Sequence, residues 1–184
     1  MRGRAGAFSA RAGRYLVRPK QPWRRYSVKA GLLFLSMSMA WMYVVSRYRI
    51  GIDNQVEKCL PGYTFFLVDK WDHKLERGKI YSFHARHMEP LFKDGTRMVK
   101  ILRGLPGDSV EIDRDLRIRI NSQEIAQGLP LAQKLGASES AFQGKTTLAH
   151  NTYWFMGESP MSFDSRYWGV VAQEQIIGRA YPLF

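Results

Sequence analysis

The sequence predicts a mainly β protein: a single antiparallel β domain tethered by one apolar helix near the amino terminus. Three observations lead there. Short apolar segments alternate with polar residues at a period of two and are punctuated by Gly and Pro. One stretch, residues 30–45, carries no formal charge. The basic residues crowd in front of that stretch rather than across the remainder of the chain.

The 184 residues carry a formal net charge of +12. Nine basic residues precede residue 30 with no acidic residue among them, which leaves +3 for everything after. A nucleic-acid binder is expected to carry its basic patch on a folded surface. Here the excess lies in a Gly/Arg/Ala-rich tail with little to pack, so the sequence argues against a nucleic-acid partner. The uncharged stretch AGLLFLSMSMAWMYVV is slightly short for a membrane span, but Ser27, Val28 and Ser46 can extend it and flanking basic residues can snorkel. Trp41 and Tyr43 suit a membrane interface. Nine basic residues before the span and Arg47 and Arg49 after it direct the amino terminus to the cytoplasm and the rest across the membrane. The competing reading is a cleaved signal peptide, since Ser38-Met-Ala40 faintly resembles a cleavage site; the long basic leader and the large residues after Ala40 favour an uncleaved anchor. The expected organisation is a basic cytoplasmic tail over 1–29, a transmembrane anchor over 30–46, and a β domain over 47–184 on the far side, long enough for its own core.

Within that domain, strands are expected at 63–68, 79–84, 97–102, 109–112, 116–120, 152–156 and 175–180. Val110 and Ile112, then Leu116, Ile118 and Ile120, alternate with polar residues across Asp113-Arg-Asp115, as a hairpin requires. Residues 127–145 are polar and small, and read as an excursion from the sheet. There is no internal repeat, heptad run or glycine-rich phosphate loop.

Three stretches carry chemistry. The first, Met-Val-Lys-Ile-Leu-Arg-Gly-Leu-Pro-Gly-Asp (98–108), reads as a strand that takes Lys100 into an apolar layer and then turns at Gly104, Pro106 and Gly107 before Asp108. Alternation places Lys100 with Met98 and Leu102, and turns Val99 and Ile101 the other way. Burial disfavours an ammonium and can convert a lysine into a general base; the alternative is an edge-strand lysine snorkelling to water. The second stretch holds the only cysteine, Cys59, just before a turn at Pro61 and Gly62 and close after the apolar segment. No intramolecular disulfide is possible, and a lone thiol is either a small buried hydrophobe or a nucleophile in need of a base. The third, Gly-Glu-Ser-Pro-Met-Ser-Phe-Asp-Ser-Arg-Tyr-Trp-Gly (157–169), reads as a structured loop in which Asp164 and Arg166 form a short-range ion pair and Ser162 can orient the lysine; the alternative is a turn with a surface salt bridge.

The order of these stretches resembles the type I signal peptidase family of serine-lysine membrane proteases, over roughly residues 50–184. The nucleophile-x-Pro form and the Ser-Phe-Asp-Ser-Arg sequence resemble its TraF-like, or TrhF-like, branch, the processing peptidases of conjugative plasmids. The resemblance implies a signal-peptidase-like β fold, Cys59 as nucleophile, Lys100 as general base and Ser162 as the serine that orients it. It also implies Asp164, Ser165 and Arg166 as the scaffold of the site, and Gly104, Pro106, Gly107 and Asp108 as the turn after the lysine strand. It further implies a precursor protein at the membrane as substrate, a conjugative pilin on the TraF-like branch, and a bacterial inner-membrane location with the β domain in the periplasm. No cofactor is expected. His84 and His87 lack a convincing third ligand, so no metal is expected either.

The chain departs from the family pattern in three places. Cysteine stands in place of the usual serine. Ile101 stands where arginine is common. Glu57, two residues before Cys59, replaces a hydroxyl residue that helps to hold the oxyanion, and an ionised carboxylate cannot donate that bond. Three outcomes stay open: hydrolysis by a Cys59–Lys100 pair, cyclisation by acyl transfer to an amine, or a degenerate relative serving as an assembly component of a conjugative type IV secretion system.

Overall fold

A computed structural model describes residues 22–53, 58–89 and 92–184. Glu57 and most of the basic tail lie outside the described residues. The chain divides into two compact units, residues 1–41 and 42–184, and the division falls inside the first helix.

That helix, α1 (Trp23–Arg47), begins where the Pro22 carbonyl accepts the N–H groups of Arg25 and Tyr26. Leu, Met and Ala sustain it. None of its residues is buried by protein, and it is long and apolar enough to cross a membrane. It begins earlier than the stretch 30–46 because Trp23 to Lys29 contain no helix breaker once Pro22 has set the start.

Every strand pairing in the second unit is antiparallel. A seven-stranded sheet contains β1 (Tyr48–Ile52), β2 (Phe65–Asp69), β3 (Ile80–His84), β4 (Arg97–Gly104), β9 (Thr152–Met156), β10 (Val171–Ala172) and β11 (Ile176–Pro182), in the order β1-β2-β11-β3-β4-β9-β10. A four-stranded sheet contains β5 (Ser109–Ile112), β6 (Arg117–Ile120), β7 (Gln123–Gln127) and β8 (Gly144–Thr147), in the order β7-β6-β5-β8. All seven expected strands are present within two residues at each end. The expected β5–β6 hairpin pairs Val110 with Ile120 and Ile112 with Ile118. Leu116 belongs to its turn rather than to β6, with φ at +59°. Four strands are additional: β1, β7, β8 and β10. The excursion expected over 127–145 is therefore shorter, because Gln127 closes β7 and Gly144 opens β8; between them lie two 3-10 turns.

Three apolar clusters fill the domain. On β4, Met98 and Leu102 pack with Tyr81, Phe83 and Phe155, whereas Ile101 faces Leu60, Phe66, Val68 and Ala180. The alternation expected of this strand holds. On β9, Phe155 joins the first cluster, and Trp154 and Met156 join Val110, Ile112, Ile118 and Ile120 beneath the smaller sheet. Strand β9 is thus the wall between two cores, and the loop that follows it starts from a rigid base.

Candidate active site

Strand pairing brings Lys100 to the centre of the larger sheet, opposite Tyr81 on β3. Its residue exposure is 1%, so snorkelling to water does not occur. Its side-chain nitrogen reaches two side chains from other parts of the chain. Lys100 Nζ lies 2.5 Å from Cys59 Sγ and donates to Ser162 Oγ at 2.8 Å. The three residues named from separate stretches therefore meet at one atom, although 41 and 62 residues separate the lysine from its partners.

The cysteine is held through its backbone. Pro61 and Gly62 make the expected turn, with Gly62 at φ +93°, and Tyr63 N–H closes it on the Leu60 carbonyl at 3.3 Å. Leu60 is anchored in the apolar cluster that includes Ile101. Ile101, where the family pattern often has arginine, therefore packs the floor beneath the cysteine turn instead of forming an ion pair. On the other side, the Cys59 carbonyl accepts N–H groups from Glu158 (2.9 Å) and Ser159 (3.3 Å). Gly157 completes this junction: a Cβ there would overlap Ser162 Oγ and sit 2.6 Å from Ser162 Cβ and 2.8 Å from the Cys59 carbonyl oxygen. Only a residue without a side chain lets the two loops close on the lysine.

The loop after β9 is pinned by a buried ion pair. Arg166 donates through Nε and Nη2 to the two Asp164 carboxylate oxygens, each at 2.8 Å, with both side chains almost wholly inside. Burial works against the Arg166 charge, but the hydrogen bonds and the charge of Asp164 outweigh it and raise the pKa of Arg166. The same aspartate accepts Gly157 N–H at 3.0 Å and caps the short helix α2 (Ser165–Trp168) at Arg166 N–H. Arg166 also donates to the Ser162 carbonyl at 3.1 Å, which fixes the serine that faces Lys100. Ser165 accepts the Phe155 N–H at 2.9 Å and ties the loop back to β9. This is a scaffold rather than a surface bridge.

The turn after β4 is pinned differently. Gly104 lets β4 and β9 approach, since a Cβ there would lie 2.8 Å from Trp154 Cβ and 2.8 Å from Leu148 Cδ1. Pro106 and Gly107 reverse the chain, with Gly107 at φ +88°. Asp108 then accepts from Leu105 N–H, Asn121 and Arg77 at 2.6, 2.7 and 2.7 Å. Burial pushes its carboxyl up, but these three bonds together outweigh burial and its pKa is lowered.

Among the described residues no cluster of His, Cys, Asp and Glu has the grouping of a metal site. His84 ends β3 near the Gly95 carbonyl, and His87 sits in a turn held by Asp94. Glu57, the residue two before Cys59, lies outside the described residues. The sequence reading missed Gly157 and the Glu158 and Ser159 amides, whose signal was only the position of a glycine directly after an apolar strand. It also missed a cavity of about 540 Å³ that opens on Cys59 and Lys100 between β1, β2 and β4.

Residues 23–184 match the family model described as signal peptidase, peptidase S26. A probable signal peptidase I-2 of Synechocystis sp. is 28% identical over 123 residues, which cover 64% of this chain and 53% of that protein. A signal peptidase I of Leptolyngbya laminosa is 30% identical over 114 residues, covering 59% of this chain and 52% of that protein. A crystal structure of a signal peptidase I from Enterococcus faecalis shares 28% identity with a TM-score of 0.37, over 58% of this chain and 96% of that one. The chain spans about half the length of the curated relatives it matches. With the model match running from the start of α1 through the last strand, the chain belongs to the signal peptidase family, peptidase S26.

Proposed function

We propose that this chain is a membrane-anchored processing peptidase that cleaves a precursor protein with a Cys59–Lys100 pair. The observation that carries the reading is the single buried nitrogen, Lys100 Nζ, within reach of both Cys59 Sγ and Ser162 Oγ. In this reaction Lys100 takes the thiol proton and Cys59 attacks the scissile carbonyl, forming a C–S bond. Collapse of the tetrahedral adduct breaks the C–N bond, and Lys100 returns the proton to the leaving amine. Ser162, held by Arg166, keeps the lysine aimed. The Cys59 N–H is the first candidate donor to the oxyanion.

The thioester is then resolved by water or by an amine. Thioesters pass readily to amines, so a substrate whose own amino terminus reaches the site is closed into a ring, and one whose terminus does not is hydrolysed. The TraF-like resemblance supports a conjugative pilin as the precursor. The charge step across α1 supports an inner-membrane anchor with a cytoplasmic amino terminus and a periplasmic β domain; a reporter active only outside the cytoplasm, fused after residue 60, is expected to be active.

The test is co-expression of the full chain with candidate pilin precursors, followed by intact-mass measurement. Processing is expected from the wild type and lost in Cys59→Ala and in Lys100→Met, with the double change no worse than either, because the pair acts as one unit. A product one water lighter than the linear peptide, blocked to amino-terminal sequencing, identifies cyclisation. Full processing by Cys59→Ala retires the nucleophile assignment and leaves the assembly-component reading.

A further inference from the structure

Most arginines of the β domain are committed to carboxylates: Arg47 to Asp69, Arg77 to Asp108, Arg119 to Asp113 and Arg166 to Asp164. Two that line the cavity beside Cys59 and Lys100 are not. Arg49 on β1 and Arg97 on β4 are exposed and, among the described residues, have no ion-pair partner. Both line the cavity that Cys59 and Lys100 also line, and they are 48 residues apart in sequence. Val68, Val99 and Ile177 give the same cavity an apolar lining. Only one described carboxylate, Asp53, lines the same cavity. A cleft with an apolar lining and two guanidinium groups that have no ion-pair partner among the described residues suits an anionic ligand.

We infer that Arg49 and Arg97 form a carboxylate subsite that selects precursors carrying a negative charge beside an apolar segment. The inference rests on the peptidase reading, since it makes the cleft a peptide-binding cleft. Two sources can supply the group: an internal Asp or Glu side chain, or the carboxyl terminus of the precursor. Both present two oxygens to a guanidinium, and neither an amide nor a lysine does. The site discriminates by charge as well as by shape: a substrate with a lysine at the same position meets two like charges in a partly desolvated cleft.

The experiment uses the full chain in vesicles of neutral phosphatidylcholine, with Cys59→Ala introduced so that binding is read without turnover. The probes are apolar peptides bearing Glu or Gln at each position in turn, each made with a free or an amidated carboxyl terminus. The acidic member of one pair is expected to bind about tenfold tighter than its neutral partner. That preference should shrink with added salt. Preference that follows an internal Glu assigns the side chain as the source; preference that follows the free terminus assigns the chain end. Arg49→Gln and Arg97→Gln are each expected to bring the ratio toward one, and Arg97→Glu to shift preference toward a lysine peptide. A ratio near one in the parent, or a ratio unchanged in both glutamine variants, overturns the inference. So does an equal loss for neutral and acidic peptides accompanied by weaker adsorption to anionic vesicles, which would assign the arginines to lipid headgroups. Turnover with the wild-type cysteine is measured separately: a charge preference without cleavage of any peptide defeats the peptidase reading and leaves the subsite, and cleavage without charge preference does the reverse.

Discussion

Two turns in this molecule use the same device, an aspartate paired with an arginine after a strand, and put it to different ends. After β9, Asp164 and Arg166 are sealed from water, and beyond their mutual bonds they hold Gly157 N–H and the Ser162 carbonyl in the loop that faces Lys100. After β4, Asp108 is mostly buried, but its partner Arg77 is 43% exposed, and its other bonds run to Leu105 and Asn121, at the join between the two sheets. The difference lies in what depends on each pair. The first holds the loop whose Ser162 meets Lys100, whereas the second holds the turn between β4 and β5. Burial makes the first brittle and exposure makes the second forgiving.

The largest effect is expected from Asp164→Ala. It strands a buried guanidinium, and losing one partner of a buried pair costs about 3–5 kcal/mol, read as a lower midpoint in denaturant for the detergent-solubilised chain. Replacing both residues by apolar ones of similar size, Asp164→Leu with Arg166→Met, is expected to recover much of that stability but not processing, because Ser162 and Gly157 lose their tethers. Equal stability in the single and double variants would show that the charge is not the source of the loss.

Next comes Gly157→Ala, which tests whether the β9 turn serves the site directly. The added methyl must push Ser162 or the Cys59 carbonyl aside. Overpacking of this kind costs about 1–3 kcal/mol, and processing is expected to fall further than stability alone explains. A variant that processes at the wild-type rate would mean that the two loops need not close on the lysine.

The β4 turn is expected to respond more gently. Asp108→Asn keeps an acceptor but loses the charge, a change of about 1–2 kcal/mol at neutral pH. Because the folded carboxyl titrates below its ordinary value of 3.8, its contribution is complete above that value and is lost as pH falls toward the lowered one. An acid-unfolding curve of Asp108→Asn should therefore be flatter below about pH 4 than that of the wild type. The smallest effect is expected from Arg77→Gln, since half-exposed pairs contribute about 0–1 kcal/mol; a thermal midpoint shift larger than that of Asp108→Asn would reverse the ranking of the two partners within this turn.

Much of this was legible in order along the chain. The sequence by itself determined the apolar helix, because length and lack of charge decide that locally. It also determined the seven strands with apolar alternation, because one buried face writes itself into the residues at a period of two. It marked the Asp164–Arg166 pair, two residues apart, and the turns at Pro61-Gly62 and Pro106-Gly107. The edge strands β7 and β8 escaped because they carry little apolar signature: Gly144–Thr147 is exposed at every residue, and only backbone pairing to β5 makes it a strand; in β1, Ile50 and Ile52 alternate but stay exposed. The meeting of Cys59, Lys100 and Ser162, the overlap that reserves position 157 for glycine, and the sharing of one cavity by Arg49 and Arg97 were decided only by the tertiary structure. Each depends on strands paired across tens of residues, and a separation in space between such residues is a property of the closed sheet that no local pattern encodes.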